Sequence, residues 1–328
     1  MEVELIRNLQ GWRRSQWAEF LTRAGLDSTE PVELTALLWE DGELAATGSR
    51  QGNVLKCIAV DPARQGEGLT ATLLTSLRQE AFSRGLRHLF LYTKPQNEAM
   101  FSSLFFYPVA RTDQVLLMED QRNGIQTFLE SLEAPCRTGV VGAAVMHCNP
   151  FTRGHRWLIE TAARACDWMY LFVLSEEQGP FPAADRLELA RQGTADLPNV
   201  TVAPTGPYLI SRATFPTYFL KDKAQAADVQ CQLDIAVFTR HFVPHFGITR
   251  RYVGTEPLCP VTNRYNQILS EQLPRAGVEL QQLQRLEVGE APVSASAVRA
   301  LLGKGQPEAL RALVPETTYA YLQAHDLI

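Results

Sequence analysis

The 328 residues, 45% hydrophobic and 20% charged, describe a globular chain, and at roughly 100 to 200 residues per domain they suggest two domains. A formal charge of −5 and a pI near 5.8 argue against a nucleic-acid surface, which needs clustered Lys and Arg to neutralise phosphates. No stretch approaches the roughly 18 uninterrupted apolar residues of a membrane helix. The opening MEVELIRNLQGWRRSQW is charged where a signal peptide is apolar, so a cytoplasmic protein without nucleic-acid or membrane partners is expected.

Residues 32–62 break into three short alternating runs, the first two joined by the turn-forming pair Asp41-Gly42, and read as strands. After the apolar run at 57–60, Leu69, Leu73, Leu74 and Leu77 recur at helical spacing, and Gly85 is placed to end that helix. LRHLFLYT (86–93) supplies another strand and NEAMFSSLFF (97–106) a short helix. The first half is therefore strands, then a strand–helix–strand unit around a glycine-bearing loop.

A short amphipathic helix from Ile125 to Glu133 leads to Pro135 and Gly139, which mark a boundary. The expected division is a domain over 1–124, a linker over 125–138 and a second domain over 139–328. GVVGAAVM (139–146) and MYLFVLS (169–175) are continuous apolar runs, as in strands buried on both faces of a parallel sheet, and a helix through Leu158, Ile159, Ala162, Ala163 and Cys166 connects them. The alternation continues through a helix at 184–196, a strand at 200–205, a helix at 234–247 and a strand at 250–254. Such a pattern implies a doubly wound α/β sheet with ligands beyond the carboxyl ends of its strands.

NPFTRGH (149–155) falls at such an end. Backbone N–H groups at a helix start lack partners and the helix dipole favours anions, so Asn149, Pro150, Phe151, Thr152, Gly154 and His155 form a candidate phosphate cradle. The same residues also fit a capped helix with a structural histidine. VSASAVRALL (293–302) repeats the theme: Ser294 and Ser296 at a helix start, with Arg299 one turn later, suit a polyphosphate or a plain N-cap. Thr255 and Glu256 end a strand at the same edge, placed either for adenine or ribose or for a simple turn. Arg186, opening a helix, is either a substrate contact or an exposed arginine. The six cysteines have no zinc-ligand spacing, and Cys148 near His155 reads either as a small strand-ending residue or as a nucleophile.

NPFTRGH and VSASAVR together resemble the two signatures of the nucleotidyltransferase superfamily, (H/T)-x-G-H and I-S-S/A-T/S-x-x-R. FPAADRLELARQGTADLPNVTV, ATFPTYFLKD, RRYVGTEPLCPVTNRYN and RNGIQTFLESL narrow this, because all resemble the citrate lyase ligase family over nearly the whole chain. In the first half, VDPARQGEGLTATLL resembles the acyl-CoA loop of GNAT acetyltransferases, with Gln65, Gly66 and Gly68 in place and Thr70 where glycine or alanine is usual. Phe105 replaces a usual glycine there, and Tyr107 stands where many GNAT enzymes carry a tyrosine that protonates a thiolate, or else is a core residue.

The resemblance implies a GNAT-like mixed-sheet domain that binds a CoA-like arm through Gln65, Gly66, Gly68 and Thr70. A parallel-sheet nucleotidyltransferase domain would follow it. It further implies an AMP-forming acid–thiol ligase using ATP, Mg²⁺ and acetate to acetylate the phosphoribosyl-dephospho-CoA group on the acyl carrier subunit of citrate lyase. His155, Thr152 and Arg299 would act in catalysis, with Asn149 to Phe151, Gly154, Thr255, Glu256, Ser294 and Ser296 on ATP. Two alternatives stand beside it: AMP or CMP transfer to another acceptor, and a non-catalytic sensor of nucleotide or acyl-CoA.

Overall fold

The computed structural model describes residues 2–177, 179–209, 215–220, 225–256, 259–289 and 291–328. The chain gathers into two compact units, Met1–Gly124 with Arg212–Ala236, and Ile125–Ser211 with Val237–Ile328. The second expected domain is thus interrupted: residues 212–236 group with the first unit.

The N-terminal unit is built on a seven-stranded sheet. In chain order its elements are β1 (Val3–Arg7), α1 (Gly11–Arg23), β2 (Leu34–Glu40), β3 (Glu43–Gln51), β4 (Val54–Val60), α2 (Leu69–Ser83), β5 (Phe90–Thr93), α3 (Glu98–Ser103), β6 (Tyr107–Arg111) and β7 (Leu116–Glu119). The strands lie in the order β1-β2-β3-β4-β5-β7-β6, antiparallel except for β4 and β5. That parallel pair needs a crossover, and α2 supplies it, burying Leu69, Leu73, Leu74, Leu77 and Ala81 on the stripe the leucine spacing predicts. Residues 34–38 of β2 are all buried, as in a strand covered on both faces. Cys57 takes φ 54° where β4 bulges against β3, and burial pushes its thiol up to about 12. Phe105 adopts φ 60°, in the left-handed region that favours glycine, and is 69% exposed.

The second unit begins with α4 (Gly124–Glu130), followed by β8 (Val141–Met146), α5 (Arg153–Arg164), β9 (Trp168–Val173), α6 (Ala183–Gln192) and β10 (Val200–Pro204). The chain then contributes residues 215–220 and α7 (Ala226–Val237) mainly to the N-terminal unit. It returns through a π-helical turn at Phe238–Phe242, α8 (Val243–Phe246), β11 (Arg250–Gly254), α9 (Pro260–Gln272), β12 (Glu279–Leu283), a two-residue hairpin pair β13 and β14 (Glu287–Val288 and Ala291–Pro292), α10 (Ala295–Leu301), α11 (Pro307–Leu313) and α12 (Glu316–Ala324). The five strands β10-β9-β8-β11-β12 are all parallel. Read in chain order this is third, second, first, fourth, fifth, so the topological switch lies between β8 and β11, where a doubly wound sheet opens its ligand crevice.

The excursion through 212–236 has a measurable consequence. Val229, Leu233 and Ile235 of α7 are 1%, 0% and 2% exposed, and they group with the N-terminal unit. A fragment of residues 125–328 leaves these side chains without their partners. It is expected to elute as soluble aggregate in size-exclusion chromatography, whereas a monodisperse fragment would mean that α7 covers itself in some other way.

Candidate active site

The turn after β8 shows why the T-x-G-H spacing takes this form. Thr152 is the N-cap of α5, its hydroxyl accepting from the His155 backbone N–H at 3.3 Å, and the His155 Nδ1 accepts in return from the Thr152 backbone N–H at 3.0 Å. This is a capping box with histidine in the place of the usual glutamate. Because Nδ1 is an acceptor in that bond, the ring proton sits on Nε2, and His155 presents a neutral donor from the cavity wall. The cap therefore orients the ring, so the structural and functional readings of this histidine are one arrangement.

Burial, with Arg285 and His147 nearby adding to it, lowers the His155 pKa to about 4. The unfolded chain, near the ordinary 6.5, takes up a proton that the folded chain refuses, so this histidine's contribution to stability is present above pH 6.5 and is lost as pH falls toward 4. Between pH 6.5 and 5 the loss is up to about 2 kcal/mol. Urea titrations across that window should show the wild type losing stability more steeply than His155→Gln; equal slopes would refute the depressed value.

The second signature meets the first. Ser294 caps α10 through Ala297 N–H at 3.1 Å, and Ser296 Oγ accepts from Arg299 Nη2 at 3.1 Å. Arg299 Nη1 donates to the carbonyl of Asn149, joining the two motifs directly. Thr152, Gly154, His155, Glu256, Ser294 and Ser296 all border one cavity of 420 Å³ at the β8/β11 switch. The space beside Gly154 is filled by protein: a Cβ there would stand 2.9 Å from the Val293 carbonyl. The motif alone suggests that this space is kept for a phosphate, but the glycine admits the backbone of the second signature.

Several other expectations change. Pro150 and Phe151 are buried rather than placed on a nucleotide; Phe151 is fully enclosed, stacks on His155 at 5.7 Å between centroids, and has its ring against Gly193. Phe151 braces the histidine from behind. Glu256 is committed to Arg285 in an ion pair and caps α9 at the Cys259 N–H, 3.1 Å away, while Thr255 accepts through its carbonyl from Arg285 Nε at 2.7 Å. Arg186 is neither a substrate contact nor an exposed arginine. It is wholly buried and donates to the carbonyls of Phe181 (3.2 Å), His147 (2.8 Å), Leu174 (3.0 Å) and Glu176, tying together the loops that leave β8 and β9. Cys148 is fully buried and its thiol is pushed up to about 12, which keeps it protonated and removes it as a nucleophile. Arg251 and Arg285, cations on the cavity wall, carry no signal in the sequence pattern.

In the N-terminal unit, Gln65, Gly66, Gly68 and Thr70 line a separate cavity of 770 Å³ at the start of α2. Gly66 and Gly68 take φ 95° and 75°, and a Cβ at either position would meet nothing within 4 Å, so these glycines serve the turn itself. Tyr107 opens β6 and lies outside that cavity's wall. Among the described residues no three His, Cys, Asp or Glu side chains gather as a metal-ligand set, and no helix is long and apolar enough to cross a membrane.

A family model described as the citrate lyase ligase C-terminal domain matches residues 141–322, and one for the acetyltransferase (GNAT) family matches residues 5–102. The [Citrate [pro-3S]-lyase] ligase of Klebsiella pneumoniae is 43% identical over 94% of this chain and 92% of its own length. That of Escherichia coli K12 is 39% identical over 97% of this chain and 92% of its own. Among solved structures, an acyl-CoA N-acyltransferase from Pseudomonas aeruginosa aligns over 37% of this chain and all of its own, at 17% identity and a TM-score of 0.32.

Proposed function

The chain belongs to the citrate lyase ligase family, and from that premise we propose that it activates citrate lyase in the cytoplasm by acetylating the thiol of the carrier subunit's CoA-derived prosthetic group, with ATP as the driving reactant. The single observation that carries the reading is the convergence of both signature turns on the cavity at the β8/β11 switch.

Two steps balance the reaction. A carboxylate oxygen of acetate attacks the α-phosphorus of ATP, the bond to the β-phosphate oxygen breaks, and diphosphate leaves with the electron pair. The carrier thiolate then attacks the acetyl carbonyl of the mixed anhydride, a thioester forms, and AMP leaves. Acetate is already ionised at neutral pH, so the first step needs no base; it needs alignment and positive potential. His155 donates through Nε2–H to oxygens that gain charge in the transition state. Thr152 and the first N–H groups of α5 hold the α- and β-phosphates. Arg299 and Ser296 secure the polyphosphate tail, and Arg285, ion-paired to Glu256, borders the same cavity. Magnesium carried in on the nucleotide would neutralise phosphate charge and ease the departure of diphosphate; among the described residues no three His, Cys, Asp or Glu side chains gather to hold it independently.

In the N-terminal unit the prosthetic arm lies in the cavity at Gln65, Gly66, Gly68 and Thr70, its phosphates at the start of α2. Rapid mixing of the protein with ATP and carboxyl-labelled acetate, quenched in acid before carrier is added, should trap labelled acetyl adenylate in stoichiometric yield. AMP formation that depends on another acceptor, with no labelled anhydride at any time, would refute the reading.

A further inference from the structure

Strands β4 and β5 pair at Val54–Phe90 and Leu55–Leu91 and then separate. Parting strands leave backbone N–H and C=O groups in need of partners. The side chain of Tyr218 bridges the gap: its hydroxyl is hydrogen-bonded to the backbone of Cys57 on β4 and donates to the carbonyl of Tyr92 on β5 at 3.1 Å. Tyr218 is only 6% exposed, and its neighbours hold it there. Its carbonyl accepts from Asp27 N–H at 2.8 Å, and Thr217 donates through Oγ1 and its backbone N–H to Glu30, which is itself paired with buried Lys56 at 3.0 Å. Phe215 meets Tyr92 edge-on at 5.7 Å, and Phe219 meets Tyr218 at 5.1 Å. Residues 215–219 are therefore a fixed wall of the N-terminal unit.

The 770 Å³ cavity reaches from the start of α2, past Ile58 to Val60 on the side of β4 that β5 has left, to Tyr218 and Phe219. Its parts suit an extended ligand: an anionic head at the helix start, an amide-bearing arm along the open strand edge, and a tip against Tyr218. An acetyl group on that tip adds three heavy atoms, two of them a carbonyl. The volume it needs is taken by the tyrosine ring, and the β4 backbone group that would meet the carbonyl is already bonded to the tyrosine hydroxyl, so the carbonyl would be buried unsatisfied.

Resting on the reading that this unit receives the prosthetic arm, we propose that Tyr218 is a stop that accepts the arm's free thiol and rejects its acetylated form. The unit then captures the substrate of the second step and lets go of its product. Calorimetric titration of the full chain with coenzyme A and with acetyl-CoA tests this, with the nucleotide site filled by a non-hydrolysable ATP analogue. Wild type should bind coenzyme A at least about 10-fold more tightly than acetyl-CoA. Tyr218→Phe, which keeps the ring, should retain most of that preference, and Tyr218→Ala should bring the two ligands within about 2-fold. Equal affinity of wild type for both ligands would overturn the stop while leaving the arm-binding reading intact. Absence of coenzyme A binding in wild type and Tyr218→Ala alike would overturn both. Should Tyr218→Ala fail to fold, the wild-type and Tyr218→Phe ratios decide alone.

Discussion

Acetyl adenylate formation by His155→Ala is expected to be about 10²–10³ times slower than wild type, with the KM for ATP changed by no more than about threefold. The asymmetry follows from where the imidazole proton points. On the proposed reading the triphosphate would be held in the ground state by several groups at once, so losing one neutral donor should weaken binding little. As the α-phosphorus becomes five-coordinate, charge gathers on its oxygens, and a donor already fixed by the capping box gains strength at that moment. Alanine also removes half of the capping box, at a cost of about 1 kcal/mol, which leaves the unit folded. Single-turnover measurement of diphosphate release separates the two effects. An unchanged kcat with a raised KM for ATP would show that His155 merely helps to bind nucleotide.

Arg186→Met should strongly destabilise the second unit rather than impair a substrate contact. Methionine fills a similar volume but offers no donors, so the carbonyls of His147, Leu174, Glu176 and Phe181 lose their partner inside the protein. Buried acceptors left unmade cost about 1–3 kcal/mol each, and a loss of about 4 kcal/mol or more removes much of a stability of about 5–15 kcal/mol. Thermal unfolding followed by circular dichroism should show a transition lowered by about 10 °C or more, or protein recovered only as inclusion bodies. A variant with wild-type melting and only a raised KM would restore the substrate-contact reading that the sequence allows.

The parts of the site legible in the sequence are those with a local cause. The apolar runs at 139–146 and 169–175 announce strands covered on both faces, and they form β8 and β9. Thr152 and His155 sit at capping-box spacing, which a chain can specify within four residues. What the sequence hides depends on distant partners. Arg186 looks like any arginine at the start of a helix, since nothing beside it reveals that four carbonyls from two other loops will surround it. Gly154 reads as open space because its neighbour, Val293, arrives from far along the chain. β12 alternates too weakly in burial to stand out, so Arg285 beyond it gives no sign of its place on the cavity wall.

The borrowed segment also sets the order of events at the ribosome. An N-terminal domain ordinarily finishes folding while the rest of the polypeptide is still being translated. Here the segment that supplies the wedge between β4 and β5 ends 112 residues after Gly124. At typical elongation rates that is a wait of roughly 6–20 s. During it the nascent first sheet stands open at the place where Tyr218 will later lodge, exposed to chaperones, and the two halves of the molecule must mature interleaved instead of one after the other.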